Sequence, residues 1–181
     1  MQKNLVRSNM IENMITTKKR AIKLIKKADK YLELARWEEA EKLLQEAISL
    51  DAGNPEAYYL LGETLCKQER FLESIEALIK ADKLLPDNPR ILHLLGWANF
   101  MKGSPDVGRK FMSKAHQILP KDIQILCDLA VLENKEGNEE KAKKFISKAL
   151  EIDSTNQTAQ EVYKAILFFN QLRSEYKKKI N

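Results

Sequence analysis

The sequence repeats itself with a period of 34 residues. The segment PEAYYLLGETL, from Pro55, aligns with PRILHLLGWAN, from Pro89, and both carry Leu-Gly at the seventh and eighth positions. A bulky apolar residue and then an alanine return later in each period. These positions are Leu44, Leu78, Met112 and Ile146, followed by Ala47, Ala81, Ala115 and Ala149. Four periods fit without a gap, over 21–54, 55–88, 89–122 and 123–156.

Each period has the pattern of two helices separated by a turn. In the third period the apolar and small residues of the first half follow the spacing i, i+3, i+4, i+7, which predicts one face of a helix. They are Leu92, Leu95, Gly96 and Asn99. Gly103 is expected to end this helix, and Ser104 to cap a second helix that begins at Pro105. Because one such pair cannot bury its apolar face alone, successive pairs must stack.

This pattern resembles the tetratricopeptide repeat (TPR) family over residues 21–156. The resemblance implies an all-α fold, a right-handed α-solenoid of four tandem 34-residue helix-turn-helix repeats. Four residues depart from the family pattern. Asn99 and Glu133 stand where an aromatic residue is usual, Lys27 replaces the usual leucine, and Glu69 replaces a turn glycine.

The two ends lie outside the repeats. Residues 157–181 are expected to form a capping helix with a basic tail, because an apolar stripe can close the last repeat. This stripe is Ala159, Val162, Tyr163, Ile166 and Leu167. Residues 1–20 are expected to form a mobile or helical extension, in which apolar residues have helical spacing. They are Val6, Met10, Ile11, Met14 and Ile15.

Composition narrows the class of protein further. The 181 residues are 44% apolar and include only six Gly and five Pro, which argues against disorder and against a loop-rich β-protein. The apolar runs are too short to span a membrane, and none near the start resembles a signal peptide. Two cysteines are too few for a disulfide framework and favour a reducing compartment, so we expect a cytoplasmic protein.

Charge is concentrated at the ends of the chain. Residues 1–30 have a net charge of +7 and residues 170–181 of +3, whereas the remaining residues have −5. The N-terminal cluster offers an alternative function, binding of nucleic acid or an acidic surface. Its members are Lys18, Lys19, Arg20, Lys23, Lys26, Lys27 and Lys30. No aromatic residues interleave them, so nucleic acid is the less favoured partner.

Residue patterns typical of enzymes are absent. His93 and His116 are the only histidines, and no spacing offers three metal ligands or a glycine-rich phosphate loop, so we expect neither a metal nor another cofactor. His93 and Cys127 are one period apart, which makes a Cys–His nucleophile pair conceivable. No third group is apparent to orient such a pair, so we expect no enzymatic activity.

A binding groove is the favoured site. In the TPR resemblance, the first helix of each repeat lines a concave face. The inward positions that we expect to form a protein-binding groove are Tyr59, Glu63, Cys66, Arg90, His93, Trp97, Phe100, Met101, Cys127, Val131 and Asn134, with Lys135 on its charged rim. Trp97 and Phe100 are expected to act as aromatic anchors for an apolar segment of a protein or peptide partner, in an adaptor, scaffold or chaperone-like role.

Two other interpretations of this surface stay open. Trp97 and Phe100 could instead pack against neighbouring helices or the N-terminal extension. The apolar surface could also be buried in a homo-oligomer, with self-association through that extension. A third interpretation is rejected, because the two-carboxylate clamp of some TPR proteins needs Lys, Asn and Arg where only Arg90 fits.

Overall fold

A computed structural model describes the backbone of residues 2–180 and the side chains of residues 7, 12–176, 178 and 179. This part of the chain contains helices and no strand. The helices are α1 Gln2–Glu33, α2 Trp37–Leu50, α3 Pro55–Lys67, α4 Phe71–Leu84, α5 Pro89–Met101, α6 Pro105–Ile118, α7 Ile123–Lys135, α8 Glu139–Ile152 and α9 Gln157–Ile180. From α3 onward the first helix of each predicted repeat begins at its predicted first residue.

The chain divides into two compact units, Met1–Leu94 and Leu95–Asn181, and the division falls within α5. In unit 1, α1 packs on α2 and α3, and α3 packs on α4. In unit 2, α7 contacts α6, α8 and α9. Each unit therefore buries the apolar faces of its helices by stacking them in chain order.

The turn inside every repeat has the same structure. The second residue after the first helix adopts a left-handed conformation, with φ of +53° at Ala35, +60° at Glu69, +95° at Gly103 and +81° at Gly137. At each turn the N–H of this residue and that of the following residue donate to carbonyls near the end of the helix, as Glu69 donates to Cys66 and Arg70 to Leu65. This Schellman arrangement satisfies the free carbonyls and ends the helix.

Side-chain caps lie at the start of the repeats. Asn54, Asn88, Asp122 and Asn156, spaced one period apart, each accept a backbone N–H of the helix that follows. Ser104 corrects an expectation. It stands at the N-cap position of α6, but its hydroxyl makes no capping hydrogen bond. Pro105 already removes one free N–H at this end, so less capping is required.

Small and apolar residues of the repeat form the cores. Unit 1 buries a cluster that includes Ala28, Leu44, Ala47, Ala57 and Leu60. Unit 2 buries the corresponding cluster, Leu126, Cys127, Ala130, Ala142, Ile146, Ala149, Ala159 and Ile166. The alanines and bulky apolar residues that recur in the sequence are thus the residues on which the helices pack.

Both ends of the chain are helical. Helix α1 includes the N-terminal extension, in which Met14 is 54% and Ile15 46% exposed. The side chains of Val6, Met10 and Ile11, which belong to the predicted stripe, lie outside the described residues.

Helix α9 follows the last repeat. From its predicted stripe Ala159 and Ile166 are buried, whereas Tyr163 and Leu167 are exposed. Exposure of these two corrects the expected stripe. The packed line of α9 follows i, i+3, i+7 through Ala159, Val162 and Ile166. Tyr163 and Leu167 each come one residue after a member of that line, about 100° further round the helix.

Candidate protein-binding surfaces

Unit 1 contributes a surface on α3 and the start of α5. The guanidinium of Arg90 lies 4.4 Å from the ring centroid of Tyr59, and its Nη1 lies 3.6 Å from Glu56 Oε1. Burial raises the pKa of Tyr59 to about 12, so the phenol is neutral at physiological pH. Burial and the nearby Arg90 guanidinium thus hold the Tyr59 ring in place, and the ring forms a rigid aromatic part of this surface.

The other predicted residues of this surface are partly covered. Cys66, Glu63 and His93 are half-buried. The sulfur of Cys66 lies 3.1 Å from the hydroxyl oxygen of Ser74, and burial raises the pKa of the thiol. Cys66 is therefore protonated at neutral pH and contributes an apolar contact rather than a charge.

In unit 2 the two predicted anchors differ in exposure. Trp97 is half-buried and Phe100 is 3% exposed, with the two rings edge to face at 5.7 Å between centroids. The Nζ of Lys135 lies 5.0 Å from the Phe100 ring centroid. Phe100 is thus a covered core side chain, not an open anchor, because its own unit already packs against it. Met101 is 40% exposed.

Cys127 lies in the core of unit 2. It is fully buried, and burial raises the pKa of its thiol to about 11. The attacking species in cysteine chemistry is the thiolate, and a thiol with this pKa is protonated at neutral pH. The buried side chain therefore offers neither a nucleophile nor an accessible floor for a partner, which corrects its place among the groove residues.

An apolar pocket of about 360 Å³ lies between α7 and α9 in unit 2. Its walls are mainly aliphatic and aromatic: Val131, Val162, Ala165, Ile166 and Phe169. Asn134, Lys135 and Arg173 complete the lining. The pocket thus joins two of the predicted groove residues, Val131 and Asn134, to residues of the C-terminal helix.

The rim of this pocket is cationic. Arg173 donates to the backbone carbonyl and the side-chain oxygen of Asn134, which are neutral acceptors. Lys135 extends over Phe100 and is exposed. No described carboxylate pairs with either residue. Two unbalanced positive charges therefore border an apolar cavity.

The sequence pattern does not predict the residues that α9 contributes to this pocket. It places Val162 and Ile166 in a capping stripe and gives no binding role to Phe169 or Arg173. The one available signal was the apolar run Ile166–Phe169, which is longer than a cap requires. Exposure of Phe168 at 58% and Phe169 at 52% shows that this run also faces outward.

The described residues also bear on metal binding and on membrane insertion. Groups of three or more His, Cys, Asp or Glu side chains that could hold a metal ion do not occur among them. Within the same residues, every helix is too short or too polar to cross a membrane.

Comparison with known proteins identifies the repeats. Models of the tetratricopeptide repeat match residues 20–98 and 123–156, together more than half of the chain. The TPR repeat-containing protein PA4667 of Pseudomonas aeruginosa is 38% identical over 78 residues, which are 42% of this chain but 13% of that protein. The chain therefore matches only a small part of its relative.

Solved structures share the fold. TTC0263, a thermophilic TPR protein of Thermus thermophilus, gives a TM-score of 0.72 at 17% identity, over 87% of this chain and 89% of that one. YrrB, described as a TPR protein with an unusual peptide-binding site, gives 0.64 at 19% identity, over 83% and 78%. MamA of Desulfovibrio magneticus RS-1 gives 0.67 at 16% identity, over 84% and 96%. The predicted all-α repeat solenoid is confirmed.

Proposed function

The chain belongs to the tetratricopeptide repeat family, and from this premise we propose that it is a non-enzymatic protein interaction module that captures a segment of a partner protein. The observation that carries the proposal is the apolar pocket between α7 and α9 with its cationic rim. An apolar cavity bordered by a few polar groups is the usual form of a binding site for an anchoring side chain.

The lining of the pocket defines the partner segment. Its apolar walls fit a leucine, isoleucine or phenylalanine side chain, whose burial drives association. Lys135 and Arg173 favour a carboxylate close to that anchor, because both cations lack an acidic partner among the described residues. The favoured ligand is thus a peptide segment with an apolar residue beside an aspartate, a glutamate or a C-terminal carboxylate.

A fluorescence-polarisation screen of short labelled peptides tests this proposal. We expect the chain to select peptides with a large apolar residue next to an acidic one. Phe169→Ala should weaken binding of the selected peptide by at least about 2 kcal/mol, which is roughly thirtyfold in Kd, because the substitution removes an aromatic wall of the pocket.

Phe168→Ala supplies the matched control. Phe168 neighbours Phe169, and their ring centroids lie 5.6 Å apart, but Phe168 does not line the pocket. This variant should bind within about threefold of the parent, which corresponds to a loss below 1 kcal/mol. Equal losses in both variants, or selection of peptides without an acidic residue, would contradict the proposed pocket.

The first helices of the repeats supply further candidate contacts, each within its own unit. Tyr59, Glu63 and Arg90 are candidates on the surface of unit 1, and Trp97 and Met101 are candidates in unit 2, which also holds the pocket. Trp97 is supported as a contact by its partial exposure, since a half-buried aromatic still has area to bury. Trp97→Ala should therefore weaken a bound segment that extends beyond the pocket.

The biological setting is part of the same proposal. We place the chain in an adaptor, scaffold or chaperone-like assembly role in the cytoplasm. Support comes from Cys66 and Cys127, which are free thiols, as expected in a reducing compartment. The described peptide-binding site of YrrB, a structure of the same fold, supports peptide capture as a use of such repeats.

Self-association is a second candidate function, and the exposed apolar side chains of α1 favour it. Met14, Ile15 and Ile22 are 54%, 46% and 45% exposed. Ile15 and Ile22 lie seven residues apart and thus on one face of the helix. A second copy of this helix would cover that face.

A further inference from the structure

A second crevice lies between α6 and α8 in unit 2 and shares no lining residue with the apolar pocket. Its volume is about 470 Å³. The floor includes Phe145, and charged or polar side chains surround it. These are Arg109, His116, Glu133, Lys141, Lys144 and Lys148. Four cationic residues and one carboxylate thus face the same space.

The carboxylate in this crevice is already neutralised. Glu133 is 2% exposed and accepts hydrogen bonds from Arg109 Nε at 2.6 Å and from Asn138 Nδ2 at 2.6 Å. Arg109 also donates to Asp106 at 2.7 Å. The charge of Arg109 is therefore balanced within the unit, and Glu133 does not compensate the lysines.

The three lysines have no such partner. Lys141, Lys144 and Lys148 follow the spacing i, i+3, i+7 on α8, and no described carboxylate pairs with them. Lys143 on the same helix differs, because its Nζ lies 3.1 Å from Glu140 Oε1 and it does not line the crevice. Lys141, Lys144 and Lys148 thus place three positive charges on one face of α8 without a direct ion pair.

The repeat frame does not require all of these lysines. Two periods earlier, in unit 1, a crevice of about 180 Å³ is lined by most of the equivalent residues. There Glu73 and Glu76 stand at the positions of Lys141 and Lys144, and Glu41 at that of Arg109, whereas Lys80 keeps the lysine of position 148. Arg70 bonds to Glu41 at 2.7 Å and to Glu73 at 2.6 Å, so this crevice contains both charges and pairs two of its carboxylates.

From this contrast we propose that the α6–α8 crevice binds a small anion carrying at least two phosphate groups. Lys141 and Lys148 are seven residues apart, about 10 Å along the helix axis. That span exceeds a single phosphate and suits two or more linked ones, each of which accepts several charge-assisted hydrogen bonds.

His116 adds a polar group to the same site. Its Nδ1 is buried without a hydrogen-bond partner in the described part of the chain. Its ring lies edge to face with Phe145 at 5.9 Å between centroids. His116 thus contributes its ring to the lining of the crevice, next to Phe145.

Calorimetric titration of the full chain with inorganic pyrophosphate tests this site. We expect saturable binding at physiological ionic strength, with orthophosphate weaker because it reaches fewer lysines. The double variant Lys141→Gln with Lys144→Gln should raise the Kd for pyrophosphate at least about tenfold, the equivalent of losing one or more charge-assisted hydrogen bonds. Glutamine preserves helix propensity, so circular dichroism should show an unchanged fold.

Lys143→Gln is the matched control, since it removes the same charge from the same helix outside the crevice. It should leave the Kd within about twofold of the parent, because Lys143 does not line the crevice and its charge is paired with Glu140. Binding of ADP with the same lysine dependence supports the proposal and points to a nucleotide as the source of the phosphates. Failure to bind pyrophosphate, equal losses in Lys143→Gln, or equally tight lysine-dependent binding of poly-glutamate would overturn it.

Discussion

At the scale of the residue, the repeats differ in whether the turn position with positive φ holds a glycine or a residue with a side chain. Gly103 and Gly137 adopt positive φ without cost, whereas Ala35 and Glu69 hold it with a β-carbon. A β-carbon in this conformation crowds the following carbonyl. The first and second repeats therefore each store strain at this turn position.

Glu69→Gly should stabilise the chain. Removing the β-carbon at φ +60° should raise the free energy of unfolding by about 1 kcal/mol, measured by urea denaturation. Glu69→Ala is the control, because it deletes the carboxylate but keeps the β-carbon, and it should gain little. If both variants gain equally, charge rather than backbone conformation is the cause.

Glu69 also shows what the sequence predicts about a single residue and what it does not. The 34-residue alignment identified Glu69 as a departure from the family's turn glycine. The structure adds that its backbone conformation is retained, because the two Schellman hydrogen bonds and the adjoining helices hold the turn.

At the scale of the element, close approach of paired helices depends on small residues at two recurring positions. The backbones of α5 and α6 approach most closely at Gly96 and Gly108. A β-carbon added to Gly96 would lie 2.9 Å from the Gly108 carbonyl oxygen and 2.9 Å from the Met112 nitrogen. These are backbone atoms, which cannot rotate away as a side chain does.

Gly96→Ala should therefore destabilise the chain by about 2 kcal/mol in the free energy of unfolding, since the crowded helices must separate. Gly62→Ala is the matched control, because the three atoms nearest to its added β-carbon all belong to the side chain of Leu78 and not to the backbone. Ala28 and Leu44 already coexist at the equivalent positions of the first repeat. A loss as large at Gly62 as at Gly96 would contradict this account of helix packing.

At the scale of the whole molecule, charge and apolar exposure coincide on the N-terminal helix. Residues 1–30 carry a net charge of +7, and Ile15 and Ile22 are exposed among them. Like charges oppose pairing of two such helices, and salt screens that repulsion. Self-association through α1 should therefore strengthen as ionic strength rises, whereas binding of nucleic acid by the same lysines would weaken.

Light scattering over a range of protein and salt concentrations tests this second candidate. For the parent chain and for the control variant Thr16→Asp, the measured mass should rise above 20.9 kDa as the protein concentration and the salt concentration increase. It should stay at the monomer value when Ile15→Asp and Ile22→Asp are combined, because each places a charge on the apolar face. A mass that is identical in all three proteins would remove self-association through α1.

The sequence alone determined the helix pairs of the repeats, their order and the recurring residues on which they pack. It could do so because the period and the helix breakers are local: Gly103 ends α5 through a hydrogen bond to Phe100, three positions away. The alanines that recur in each period fit closely packed helices anywhere in the chain. These features need no knowledge of distant neighbours.

Only the tertiary structure decided which side chains stay open. Phe100 and Val131 follow the same inward pattern, yet Phe100 is covered by its own unit and Val131 lines a pocket completed by α9. The basic crevice likewise brings α6, α7 and α8 together, so that Glu133 neutralises Arg109 and leaves three lysines unbalanced. The exposure of a side chain and the balance of its charge depend on residues remote in sequence. A periodic pattern does not specify which of those residues come into contact.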